Sequence, residues 1–165
     1  MDERIKEAFN KIVEGEAKAV LRLTIFAKKA EEEGFPQIAR LFRVIAFSEE
    51  IHGERALRML REIKDTETNL KESFGSETSI AGVAYDHFLK LAAEIGDTTA
   101  ANIFSHSKDV EEVHANLYKK AMSHLMEERE TTYHVCQVGG YVSDGVWPEA
   151  CPVCSAPRDQ FVEFK

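Results

Sequence analysis

Four glutamates stand where the apolar stripes of helices should continue, and this constrains the chain more than any other feature. Apolar residues recur at steps of three and four over about the first 128 residues, the period of one helix face. The first stretch carries Ile5, Phe9, Ile12, Ala19, Leu23, Phe26 and Ala30, and Glu16 sits in its gap. Glu77 fills a similar gap between Phe74 and Ala81. Glu49 and His52 lie between Ile45 and Ala56, and Glu111 and His114 lie between Phe104 and Leu117. The last two pairs read Glu-x-x-His, so each pair shares one helix face. A carboxylate buried without a partner costs several kcal/mol, and four together would also repel. Such a set needs compensating cations.

Turn signals divide this part into four helices. Gly34-Phe35-Pro36 is a stop followed by a proline suited to a first helical turn, and Gly96-Asp97-Thr98-Thr99 is a second stop with a cap behind it. The polar stretch Asp65-Thr66-Glu67-Thr68-Asn69 separates the middle pair. The expected helices are 3–33, 36–64, 69–95 and 98–128. They repeat as two hairpins: Glu49 and Glu111, His52 and His114, Gly34 and Gly96, and Phe42 and Phe104 are each 62 positions apart, and Glu16 and Glu77 are 61 apart. Counted from the glycine turns at about 1.5 Å per residue, the four glutamates lie roughly 23–28 Å along their helices, at nearly one level. Two divalent cations would balance the four charges. One Glu from each of two helices, with Glu-x-x-His from each of the other two, is the ligand set of di-iron and di-manganese carboxylate bundles. The expected bridging carboxylates are Glu49 and Glu111. His87, His106 and His124 fall outside the pattern and read as ordinary surface or core histidines.

The composition changes near residue 130. All three cysteines (Cys136, Cys151 and Cys154) and the single tryptophan, Trp147, lie beyond it. The run 126–132 reads as a linker. Cys151-x-x-Cys154 has the spacing of one metal-binding knuckle, whereas the position that would pair with Cys136 is Gly139. A fourth ligand there would be water, a neighbour such as His134, or absent. Some 35 residues bury too little apolar surface to fold well alone, so a structural metal is expected, with Tyr133, Tyr141, Trp147, Phe161 and Phe164 as core candidates.

With 29 acidic against 21 basic residues and a net charge of −8, nucleic acid is not an expected partner. No apolar run reaches membrane-span length, and the start Met1-Asp2-Glu3-Arg4-Ile5-Lys6 shows no secretory pattern. Cytoplasmic location is the expectation, with the cysteines as metal ligands rather than disulfides.

The sequence resembles the rubrerythrin family over nearly its whole length. The resemblance rests on Gly15-Glu16-Ala17-Lys18-Ala19, the run 26–35, Ser48-Glu49-Glu50-Ile51-His52, the run 111–118, and Cys151-Pro152-Val153-Cys154. It implies a mainly α protein: a ferritin-like four-helix bundle over 1–130 and a small rubredoxin-like domain over 131–165. It further implies two iron ions held by Glu16, Glu49, His52, Glu77, Glu111 and His114. Tyr85 would lie near the cluster, hydrogen-bonded to a ligand carboxylate. A third iron or zinc would sit with Cys136, Cys151 and Cys154. The implied activity is reduction of hydrogen peroxide to water, with electrons relayed through the rubredoxin-like domain. Reduced rubredoxin or an NAD(P)H-dependent reductase would be the donor, and the chain would form a homodimer. Three positions depart from the family pattern. Ile80 stands where the family has a further glutamate ligand, Leu23 where it has a tyrosine, and Gly139 where it has a cysteine. Ile80 leaves a six-ligand set of the ferritin type, for which iron oxidation is the alternative activity.

Overall fold

The computed structural model describes residues 1–123 and 130–165. The chain divides into two compact units, Met1–Lys64 and Asp65–Lys165. The first is a helical hairpin of α1 (Glu3–Glu32) and α2 (Pro36–Leu60). Asp2 caps α1 by accepting the Arg4 N–H at 2.9 Å. At the turn, Gly34 takes φ 81°, a conformation that costs glycine least, and Phe35 N–H reaches back to the Ala30 carbonyl at 2.8 Å. Ala27, Ala30 and Ala39 are buried beside this turn, with Phe42 packed on them and edge-on to Phe26 at 5.8 Å. Alanines let the two backbones approach closely. The larger apolar residues stay in solvent: Ile12 is 41 % exposed, Ile45 40 % and Phe47 65 %. Two helices alone cannot cover an apolar stripe on both.

The second unit contains α3 (Thr66–Ser79), a π-helical segment (Ile80–Ala84), α4 (Tyr85–Ile95) and α5 (Thr98–Ser123). The third predicted helix is thus one run carrying a π turn, in which Tyr85 N–H bonds the Ile80 carbonyl five residues back. Lys108 of α5 pairs with Asp86 of α4 at 2.7 Å, and Phe88 meets Phe104 at 5.5 Å between ring centres. Two boundaries differ from expectation. Helix α2 stops at Leu60 and not 64, because Arg61 turns left-handed at φ 59°. Helix α3 begins at Thr66 and not 69, because the Asp65 carboxylate accepts both the Thr68 N–H and its hydroxyl at 2.9 Å. The end expected for the last helix, His124 and most of the expected linker lie outside the described residues.

The tail forms a small sheet of β1 (Tyr133–Cys136), β2 (Val142–Asp144) and β3 (Phe161–Phe164). The order is β2-β1-β3, antiparallel throughout, with Cys136 opposite Phe161 and Val135 opposite Val142. Its core is Cys136, Cys151, Ala156 and Phe161, with Tyr141, Val153 and Cys154 against it. Of the five aromatic residues expected there, only Phe161 is fully buried; Phe164 is 56 % exposed. Within this unit, Lys120 of α5 pairs with Asp144 of β2. A β-carbon on Gly140 would lie 3.6 Å from Val110 Cγ1, so the small domain packs closely on α5. No helix among the described residues is long and apolar enough to cross a membrane.

Candidate metal centres

The first unit assembles Glu16, Glu49 and His52 so that their ligand atoms lie within 4.8 Å of one another. His52 Nδ1 is 2.9 Å from Glu49 Oε2 and 3.8 Å from Glu16 Oε1. The i, i+3 spacing on α2 makes the first contact, and the packing of α1 on α2 makes the second. Gly53 eases that packing: a β-carbon there would sit 3.6 Å from Glu16 Cβ, ordinary contact. Phe9, Ile12, Ala56, Met59 and Arg55 line a groove beside the carboxylate and imidazole.

The second unit repeats the arrangement with Glu77, Glu111 and His114, again within 4.8 Å. His114 Nδ1 lies 3.1 Å from Glu111 Oε2. Burial pushes the Glu77 carboxyl above its ordinary range, helped by a hydrogen bond to Glu111 and by that residue's charge, while His114 pulls it back down. Two carboxylates crowded in this way favour sharing a proton. A divalent cation would relieve the same repulsion, and oxygen with imidazole nitrogen suits iron, manganese or zinc. Tyr85 follows the π segment, with its ring edge-on to Phe88 at 5.8 Å. Among the described residues no hydrogen bond joins its hydroxyl to a ligand carboxylate. His87 and His106 belong to neither cluster. The π segment itself was missed from the sequence, since 80–84 carries no period signal that separates five-residue from four-residue bonding.

The third cluster is Cys136, Cys151 and Cys154, with all sulphurs within 4.8 Å and Cys136 Sγ 3.7 Å from Cys154 Sγ. Burial raises the Cys136 thiol, but the N–H groups of Gly139 and Val138 and the two other thiols outweigh it, so Cys136 sits below its ordinary value. Cys154 sits above its own, from burial and from the neighbouring thiols, against the Ala156 N–H. Three sulphurs at this spacing suit a tetrahedral metal, whose thiolates at about 2.3 Å would lie about 3.8 Å apart. His134 is buried but outside the cluster: its Nε2 faces Glu163 at 3.7 Å and its ring lies 4.7 Å from Trp147.

The family model for rubrerythrin matches residues 7–122, which include all six carboxylate and histidine positions. The chain belongs to the rubrerythrin family. The model of the rubrerythrin rubredoxin-like domain matches residues 134–162, spanning the three cysteines. This rubrerythrin-family chain is 30 % identical to nigerythrin of Nitratidesulfovibrio vulgaris, over 92 % of its own length and 82 % of the relative. It is 28 % identical to rubrerythrin-2 of Clostridium acetobutylicum, over 91 % of each. A solved mixed-valence state of nigerythrin matches 96 % of the chain and 86 % of its own, with a TM-score of 0.60 and 30 % identity. The family's fold is mainly helical and ferritin-like with a small rubredoxin-like domain. Its cofactor is iron, at a di-iron carboxylate site and a cysteine site, and both kinds of donor cluster are present here.

Proposed function

We propose that this chain is a peroxidase of the rubrerythrin type, reducing hydrogen peroxide to water with two electrons and two protons. The observation that carries the reading is the doubled half-site. Each unit presents one Glu-x-x-His pair and one further glutamate, with their ligand atoms within 4.8 Å. Glu16, Glu49 and His52 would hold one iron, and Glu77, Glu111 and His114 the other. When bound, two such ions supply Lewis acidity and one electron each. Around them the chain's own residues do the rest. Burial and the neighbouring Glu111 raise the Glu77 carboxyl, so it would take up a proton more readily than an exposed glutamate. The groove beside Glu16 and His52 gives a small substrate access between apolar walls. In this reading 1–130 is the catalytic bundle and 131–165 the electron-relay domain. Reduced rubredoxin or an NAD(P)H-dependent reductase feeds that domain in the cytoplasm, and Tyr85 serves as a supporting residue.

The test loads the full chain with ferrous iron, adds peroxide, and follows peroxide loss. Glu49→Ala with Glu111→Ala should slow it at least about tenfold, the scale on which supporting residues of metal sites already act. An equal rate in the variant would overturn the proposal. One observation favours a second reading, ferritin-like oxidation of ferrous iron. Ile80, standing where the family carries an extra glutamate, opens the π segment and leaves six ligands. Dioxygen consumed faster than peroxide would support that reading.

A further inference from the structure

Among the described residues, none beside Gly139 adds a fourth ligand to the three-cysteine cluster. A β-carbon built on Gly139 would lie 3.0 Å from Cys154 Sγ and 3.1 Å from Cys154 Cβ, so the side-chain direction of this residue points into the cluster. The Gly139 N–H is directed at Cys136 Sγ at 3.5 Å, which holds the loop in place although the side chain is missing. No histidine or carboxylate among the described residues joins the three sulphurs within 4.8 Å. His134, the nearest candidate in sequence, is engaged with Trp147 and faces Glu163.

The cluster is also lopsided in its exposure. Cys136 and Cys151 are 1 % and 2 % exposed, whereas Cys154 and Gly139 are only half-buried and the adjacent Val138 is 63 % exposed. The side of the cluster formed by Cys154 and Gly139 is therefore the one nearer solvent. Three thiolates make a soft donor set, and a metal that prefers four sulphurs would recruit the fourth from solution.

We propose that this centre takes its fourth ligand from outside the chain, and that the ligand is a small thiolate. The site then has an exchangeable position where a four-cysteine centre has none. The inference rests on the cysteine cluster alone, and its failure would leave the peroxidase reading untouched, because the carboxylate centre contains no sulphur.

The experiment uses the full chain loaded anaerobically with cobalt(II), whose thiolate charge-transfer absorption reports sulphur ligands only. Titration with 2-mercaptoethanol should raise that absorption saturably, by roughly one third, as four thiolates replace three. Removing the thiol by gel filtration should reverse the change. Gly139→Cys, whose β-carbon requires Cys154 to give by a few tenths of an ångström, should begin near the higher intensity and give no response. A native mass measurement is independent of that variant: one 2-mercaptoethanol should be retained per cobalt-loaded chain and lost in Cys151→Ser. No thiolate absorption in the wild type, no response to the thiol, or no retained adduct would overturn the proposal.

Discussion

Asp65 shows how one side chain sets a boundary. Its carboxylate accepts the backbone N–H and the hydroxyl of Thr68, satisfying a helix N-terminus that would otherwise be open. Those bonds hold its carboxyl below the ordinary value of 3.8. A carboxylate with a depressed folded-state value stabilises the fold fully above its unfolded value. That contribution is lost as pH falls through the depressed value. Asp65→Ala should therefore lower the urea midpoint at pH 7. The gap to wild type should narrow as pH drops below about 3.8, where protonation weakens the cap in the wild type as well. A gap that stays constant to pH 2 would show that the cap acts through something other than its charge. Gly139 acts at the same scale in the opposite way, since a missing side chain changes what a metal centre can bind.

At the scale of elements, the π segment of the second unit separates Glu77 from Tyr85. Five residues, Ile80–Ala84, are wound more loosely than an α-helix, and Tyr85 N–H bonds Ile80 rather than Ala81. One extra residue in the turn rotates everything after it by about 100° relative to an uninterrupted helix. This rotation brings Phe88 to Phe104 and Asp86 to Lys108 while Glu77 still meets Glu111. Deleting Gly82 should restore α winding and force a choice between those contacts. The expected result is a folded helical chain that binds less metal at its carboxylate centre, read by metal analysis alongside circular dichroism. Unchanged metal content after the deletion would mean that the π turn does not position Glu77.

The whole molecule leaves much apolar surface uncovered. In the first unit, Leu21, Val44 and Phe47 are 63 %, 58 % and 65 % exposed, on helix faces turned away from the stripe that carries the ligands. So many large apolar side chains left exposed on one helical hairpin are uncommon on monomers and favour association. With a formal charge of −8 available to keep the chain soluble, the expected state is a homodimer that covers these faces. Sedimentation at micromolar concentration should show twice the chain mass. Phe47→Glu should shift it toward the monomer with helicity retained. A wild-type chain that sediments as a monomer would exclude this assembly.

Much of this protein can be read from residue spacing alone. Helical periods, the glycine stops at 34 and 96, the Glu-x-x-His pairs and the 62-residue repeat are local or periodic signals, so the helices and the recurrence of the six carboxylate and histidine positions can be read from the chain. The cysteine knuckle and the ligand missing at Gly139 were visible for the same reason. Tertiary structure decided the rest. Whether position 61 turns left-handed, whether residues 80–84 wind by five instead of four, and which aromatic residues of the tail reach its core depend on packing between distant segments. Differences of about 1 kcal/mol separate such local alternatives, and contacts formed only in the folded chain select among them. The orientation of Gly139 toward Cys154 belongs to this second group. Sequence placed glycine at position 139, and only the folded loop showed that its side-chain direction meets Cys154 on the less buried side of the cluster.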